Sequence, residues 1–582
     1  MSSLIRVAKP CRAIASTRAV SRSISRGVHR RGMSSVPQAG SPSSSSGKLA
    51  LAFVASAVAG GTLGYYSLTH ESTAKSTHSS SRPVKYGSHA DLQHAIQELK
   101  TQLGEDVVST DPETLRVHGY SALRYPATVP HSVVVYPKST EDVVKIVKVA
   151  NKYRMPLIAY SGGTSLEGHF RGHEAGSICL DMSGMNRILE IHEEDSDVIC
   201  QPGIGWMELN EILEEKGIPL FFPLDPGPGA TIGGMLSTGC SGTNAVKYGT
   251  SRGEWFLNAT VVLPSGEVIK TRRRSRKSSA GFDTTKLFIG AEGTLGIVTE
   301  VTLRLAPVIP YTVAAVHFPD VRKATKAVIE VLKQGIDVQC VELLDNVFMR
   351  AINMHSQTQM PELDSLFFKI PGHSPKAQQE SAARIRKIVE KHGGTGFQVA
   401  QDDEHAAELW HIRKNAPWSA VALVPGGRAL ATDVWWVVQL LSIVSPSPNS
   451  LPDEYATLNS VPISRLPDLV YETKKDFESV GLVSGMIGHV GDGNFHAMIM
   501  WSDDQDLAKM RAAIHRMVER AIALDGTCTG EHGVGIGKKR YLKEELGPGT
   551  VELMKTVKRA IDPYALMNPG KLYPEDEDEE EH

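Results

Sequence analysis

The sequence predicts an α+β chain built in two successive parts. Short β-branched runs alternate with helix-patterned segments between residues 132 and 217. A stretch rich in strand signals then runs to Pro307. Beyond it, "YTVAAVHFP" and "DVRKATKAVIEVLKQG" open a second series of strands and helices, so the boundary falls near residue 308.

The elements follow in order. "SVVVYP" is a short strand. "STEDVVKIVKVANKYR" reads as a helix, with Ser139 as its N-cap and apolar residues at helical spacing. "PLIAYSGG" is a strand running into a glycine turn, and "SICLDMS" and "DVICQPG" are further short strands. "GWMELNEILEEKG" is an amphipathic helix closed by Gly217. "WFLNATVVLPSGEVIKT" reads as a hairpin turning at Pro264-Ser265-Gly266, and "GTLGIVTEVTLRLAP" as one long strand ending at Pro307. No internal repeat is detectable.

Length and charge bound the function. A chain of 582 residues can hold two or three domains with sizeable cores. A net charge of −3 argues against a nucleic-acid partner. Cys11, Cys179, Cys200, Cys240, Cys340 and Cys528 are scattered, with no C-x-x-C pair. That argues against a disulfide framework and a thiolate zinc site. From Met1 to His70 there is no Asp or Glu, and arginines are interleaved with Ser and Ala. Residues 1–47 therefore read as a mitochondrial presequence. Segment 48–68, uncharged from Leu49 to Leu68, is either a single membrane span or a cleaved sorting segment. Residues 69–86 read as a polar linker and 574–582 as a solvated acidic tail.

"GHVGDGNFHAMIM", Gly488 to Met500, carries two histidines around a glycine-rich turn. Asp492-Gly493 is a favoured two-residue hairpin loop. That register sets His489 directly opposite His496, with Cβ atoms roughly 4.5–5.5 Å apart. The pair is either half of a metal site or an ordinary hairpin with histidines beside it.

Two glycine-rich stretches suit a phosphate-bearing cofactor. "SGGTSLEGH", Ser161 to His169, follows an apolar strand, and consecutive glycines let backbone N–H groups converge on a pyrophosphate. "DPGPGATIGGMLSTGCSGTNAVKYG", Asp225 to Gly249, is dense in Gly, Ser and Thr. A structureless loop of that length is uncommon unless it is functional. Neither is a clean G-x-G-x-x-G, so a nicotinamide site is not supported.

Taken together, "PLIAYSGGTSLEGH", "DPGPGATIGG", "FIGAEGTLGIVTEVTLRLAP", "GHVGDGNFH", "TGEHGVGIGKKRYL" and "MNPGKLYP" resemble the FAD-linked D-2-hydroxyacid dehydrogenases of the vanillyl-alcohol oxidase superfamily. The resemblance runs from about Tyr86 to Tyr573. It implies a two-part FAD-binding domain over 87–308. An α+β substrate-capping domain over 309–573 follows, whose last segment returns to the flavin. The implied FAD-binding positions in the first loop are Ser161, Gly162, Gly163, Thr164, Ser165 and Gly168. Those in the second are Pro226, Gly229, Thr231, Gly233, Gly234, Gly239, Ser241 and Gly242. Glu292, Gly293, Gly296, Ile297 and Asn568 complete the set. Covalent members typically carry a histidine where Thr164 stands, so FAD is expected to be dissociable.

The resemblance also implies a divalent metal, usually zinc, held by His489, His496 and Glu531. His532 matches the family's base and Arg413 the arginine for the substrate carboxylate. Histidine nitrogen, carboxylate oxygen and an open position suit a Lewis-acid site. A neutral histidine can take the hydroxyl proton. The implied activity is oxidation of D-lactate to pyruvate, with hydride transfer to FAD and cytochrome c as acceptor. The enzyme would face the intermembrane space from the inner membrane, or alternatively lie in the matrix.

Two alternatives stand beside this. Relatives that oxidise D-2-hydroxyglutarate tend to carry Asn where Met498 stands, which favours a smaller, more apolar substrate here. Residues 435–460, "WWVVQLLSIVSPSPNSLPDEYATLNS", depart from the family pattern as a retained intron or a surface insertion. An insertion there could leave an inactive, membrane-anchored flavin-binding protein. A spliced message that still encodes these residues would remove the intron idea.

Overall fold

The computed structural model describes residues 84–119, 129–423, 428–430, 458–501 and 506–574. The segments read as presequence and as membrane or sorting segment, nearly all of the segment read as a linker, and residues 575–582 of the one read as an acidic tail lie outside these residues. Among the described residues, no helix is long and apolar enough to cross a membrane.

Strands β1 (Val108–Ser109), β2 (Val133–Val135), β3 (Leu157–Tyr160) and β4 (Ile178–Asp181) form a sheet in the order β1-β2-β4-β3. The pairs β2–β4 and β3–β4 are parallel. Parallel strands are buried on both faces, which explains continuous apolar runs such as Val133-Val134-Val135. The helix Thr140–Tyr153 connects β2 to β3. Its first turn is capped as predicted, with the Ser139 hydroxyl accepting from the Asp142 amide.

Next come β5 (Ile188–His192), β6 (Asp197–Cys200), β7 (Leu220–Phe221), β8 (Phe256–Val262), β9 (Val268–Lys270), β10 (Ile297–Arg304) and β11 (Ala306–Pro307). Five of them form an antiparallel sheet in the order β5-β6-β10-β8-β9. The hairpin β8–β9 turns at Pro264-Ser265-Gly266, where Gly266 takes a φ of 84° that favours glycine. The predicted long strand ending at Pro307 is in fact two strands. After Arg304 the chain leaves the large sheet, and Ala306 and Pro307 pair with β7.

The second half is built on one antiparallel sheet. Its strands are β12 (Tyr311–Phe318), β13 (Cys340–Leu344), β14 (Asp364–Pro371), β15 (Thr395–Val399), β16 (Arg428–Leu430), β17 (Leu458–Ser460), β18 (Val483–Gly488) and β19 (Asn494–Trp501). The order is β15-β12-β14-β13-β18-β19-β16, with β17 also on β19. Side chains alternate between two cores. Val341 and Leu343 of β13, and Phe495, Ala497 and Ile499 of β19, join the core covered by helices Val321–Lys333 and Leu466–Ser479. Cys340, Leu344, Ile487, Met498 and Met500 face the other way, beneath helices Asn346–Ser356 and Asp403–Ser419. By the same parity Glu342 and His496 fall on this second face.

The strands before residue 308 and after 310 thus belong to different sheets, yet the chain end returns to the first of them. Leu157 bridges to Met567, its amide donates to Leu566, and the Asn568 amide donates back to Leu157. The buried Lys558 ammonium fixes this return, donating to Asp562 at 2.6 Å and to the carbonyls of Thr294 and Met567.

The proposed insertion 435–460 needs a correction at its end. Leu458, Asn459 and Ser460 are a strand of the sheet, paired with His496, Phe495 and Asn494. The rest of it, 435–457, lies outside the described residues.

Candidate active site

A cavity of about 660 Å³ runs between the glycine loops and the second face of the large sheet. Pockets for cofactors span roughly 300–1,000 Å³. Ser161, Gly162, Gly163, Thr164 and Ser165 line it from the first loop, and Pro226, Thr231, Gly233, Gly234 and Gly242 from the second. Glu292, Gly293, Gly296, Ile297 and Asn568 complete that wall. The loops meet only because side chains are missing. A Cβ on Gly162 would lie 2.4 Å from the Gly229 carbonyl oxygen, and one on Gly242 would lie 2.5 Å from the Asp225 backbone. The Thr231 hydroxyl donates to Ser161 at 2.8 Å across the junction. This glycine-lined wall fits a large planar cofactor with a pyrophosphate.

Four predicted cofactor positions are not on the cavity wall. Gly239 is the left-handed cap of the helix Ile232–Thr238. Gly168 and Gly229 take positive φ, which favours glycine. Ser241 points to the metal candidates, its hydroxyl donating to Glu531 at 2.7 Å. Glu292 is on the wall, but its carboxylate is committed elsewhere. It accepts from the amides of Val534 and Gly535 at 2.5 and 2.8 Å and lies 3.1 Å from His169 Nε2. Its backbone carbonyl accepts from the Asn568 side chain. Glu292 and Asn568 therefore hold loops together, and a direct role on FAD does not follow from their contacts.

His489, His496 and Glu531 come together at the other end. Each is buried, and one ligand atom from each lies within 4.8 Å of the others. The imidazole rings stand edge to face, centroids 5.1 Å apart. Glu531 Oε1 is 3.6 Å from His489 Nε2 and 3.7 Å from His496 Nε2. Two nitrogens and a carboxylate oxygen in that compass fit a divalent ion.

The route to this arrangement differs from the predicted hairpin. In the observed register Ile487 faces His496, so the loop is His489–Gly493. The His489 carbonyl accepts from both the Asp492 and Asn494 amides, and of the predicted turn pair only Gly493 has positive φ. His489 reaches its partner from the loop, and not from a facing strand position.

Glu342 on β13 is the residue the sequence reading missed. It is fully buried, and His489 Nδ1–H donates to it at 2.9 Å. Arg413 donates to the same carboxylate from Nε at 3.0 Å and Nη2 at 2.5 Å. Nothing local in "VELLDN" marks this residue. The only available signal was its parity on a strand facing the site.

Electrostatics bind the cluster. Burial alone would lower the basicity of His489, but the Glu342 and Glu531 carboxylates outweigh it and raise its pKa well above the usual range. Burial would raise Glu531, yet the adjacent His489 imidazole, with His496 and His532 around it, holds it well below the usual carboxylate range. Burial pushes Asp225 up to about 6 and Asp492 up to about 7. Of these perturbed groups, His489, Glu531 and Asp225 line the one cavity, and such clustering is a mark of a functional site.

His532 lines the same cavity, its ring 6.3 Å from that of His496. Arg413, Lys414, Trp410, Ile487 and Met498 form the wall beside it. His169 also lines the cavity, held against Ser165 and Glu292.

The sequence profile described as FAD binding domain matches residues 131–272, and that of the FAD linked oxidases, C-terminal domain, matches 310–439 and 454–572. Residues 440–453 lie unmatched between the two stretches of the second profile, inside the segment 435–460 that departs from the family pattern. A mitochondrial D-lactate dehydrogenase (cytochrome) of Arabidopsis thaliana is 44% identical over 82% of this chain and 80% of its own length. One of Kluyveromyces lactis is 40% identical over 84% and 82%. Among solved structures, 4-ethylphenol oxidase from Gulosibacter chungangensis shares the fold, with TM-score 0.66 at 18% identity over 84% of this chain and 99% of its own.

Proposed function

The chain belongs to the FAD-linked oxidases, and from that premise we propose that it oxidises D-lactate to pyruvate and passes the electrons to cytochrome c. The observation that carries the reading is the placement of His489, His496, Glu531 and His532 in one cavity with the glycine loops. Dissociable FAD would lie along Ser161–Ser165 and the second glycine loop, and a divalent metal, zinc by family, would be held by His489, His496 and Glu531. Bound FAD supplies the acceptor for the C2 hydride, and the metal supplies a Lewis acid at the hydroxyl.

The chain's own residues do the rest. His532 takes the hydroxyl proton. Arg413 presents a planar fork to the substrate carboxylate, tethered by Glu342. Met498 and Ile487 give the wall an apolar character that suits a methyl group and disfavours a second carboxylate. Adding D-lactate to the FAD-loaded full chain should bleach the oxidised-flavin absorbance, and oxidised cytochrome c should restore it. Bleaching by D-2-hydroxyglutarate but not by D-lactate would overturn the substrate. A flavin unchanged by either acid would favour the inactive flavin-binding reading.

The enzyme acts in mitochondria, at the inner membrane facing the intermembrane space. The acid-free, arginine-bearing N-terminus and the uncharged run 49–68 support that placement. Protease added to mitoplasts should digest the globular part. Protection until detergent is added would put it in the matrix and remove topological support for cytochrome c.

A further inference from the structure

Glu342 serves two groups with different tasks. Its carboxylate accepts from His489 Nδ1 and from two donors of Arg413, and it is fully buried. A carboxylate only accepts hydrogen bonds, so the hydrogen of a neutral His489 sits on Nδ1. The Nε2 lone pair is then turned toward Glu531 and His496. Such an outer carboxylate fixes ring orientation and raises ligand basicity.

Arg413 draws on the same negative charge. We propose that Glu342 is a positioning residue that couples carboxylate binding at Arg413 to divalent-metal binding at His489, His496 and Glu531. A carboxylate on Arg413 shares the guanidinium charge and leaves Glu342 a stronger acceptor for His489. The imidazole becomes a better ligand. By linkage, metal binding strengthens carboxylate binding by the same factor. The inference rests on the metal and arginine roles given under Proposed function.

The test uses FAD-loaded full chain, zinc with a competing chelator, and propionate, a carboxylate with no hydroxyl to ligate the metal. In wild type, propionate should tighten zinc binding by about 5-fold or more, the lower end of typical couplings. Glu342→Gln should bind zinc roughly 10–100-fold more weakly, show no propionate effect, and raise KM for D-lactate with FAD content unchanged. If Glu342→Gln does not accumulate as flavoprotein, Glu342→Asp, which pulls the charge back by one methylene, takes its place with the same expectations. Zinc affinity equal to wild type in the variant, or no propionate effect in wild type, overturns the coupling while leaving the metal site standing. A wild type that takes up no metal overturns both.

Discussion

His532→Ala should keep its FAD and reduce it with D-lactate roughly 10²–10⁴-fold more slowly than wild type, the usual contribution of a positioned general base. FAD retention follows from how the loop is held. The Glu292 carboxylate grips the amides of Val534 and Gly535, and the Thr529 hydroxyl donates to the Gly533 carbonyl. Ile536 donates to the Glu167 carbonyl. These anchors do not use the imidazole, so alanine removes the ring and leaves the loop in place. Glu531 keeps its contacts to Ser241 and His489, so the metal ligands also stay. Stopped-flow absorbance under anaerobic conditions separates the outcomes. A variant that reduces its flavin near the wild-type rate would assign the base to another group. Loss of FAD would mean that the ring holds the cofactor loop.

Much of the fold was legible in the sequence, because its signals are local. Ser139, Gly217 and Pro264-Ser265-Gly266 act within a few residues, and the caps and turns formed where these residues stand. The glycine loops were legible for the same reason. The failures come from long-range contacts. The Asp492-Gly493 rule predicted a two-residue turn, but Gly493 sits against the Val461 carbonyl, where a Cβ would lie 2.2 Å away. The loop conformation is therefore fitted to a distant segment. Glu292 lines the cavity, but the amides its carboxylate holds, those of Val534 and Gly535, lie more than 240 positions away, so their pairing could not be read from the sequence. Glu342 was silent because a carboxylate on a buried strand declares itself only when His489 and Arg413 are folded against it. The end of the insertion was misplaced because Leu458–Ser460 pairs by backbone hydrogen bonds, which composition does not report.

Replacing His489 or His496 with alanine should abolish metal binding and cost more activity than the roughly 10–100-fold typical of losing an outer partner. The two variants differ in what they leave behind. Without His489, Glu342 keeps Arg413 but loses its hydrogen bond to the ring, and Glu531 loses the closer of its two imidazoles. Removing His496 spares the Glu342–His489 contact and leaves a site of one nitrogen and one carboxylate. Either falls short of the three protein ligands a catalytic site of this kind keeps. Chelator should inactivate the wild type, with recovery when a divalent ion is returned, because ligands positioned by the folded chain remain in place. FAD content should hold in both variants, since the ion-pair contacts of these rings run to Glu342 and Glu531. Elemental analysis alongside turnover decides the matter. Full activity in a preparation shown to be metal-free would reduce the cluster to a buried hydrogen-bonding network and leave Arg413 and His532 to carry the chemistry alone.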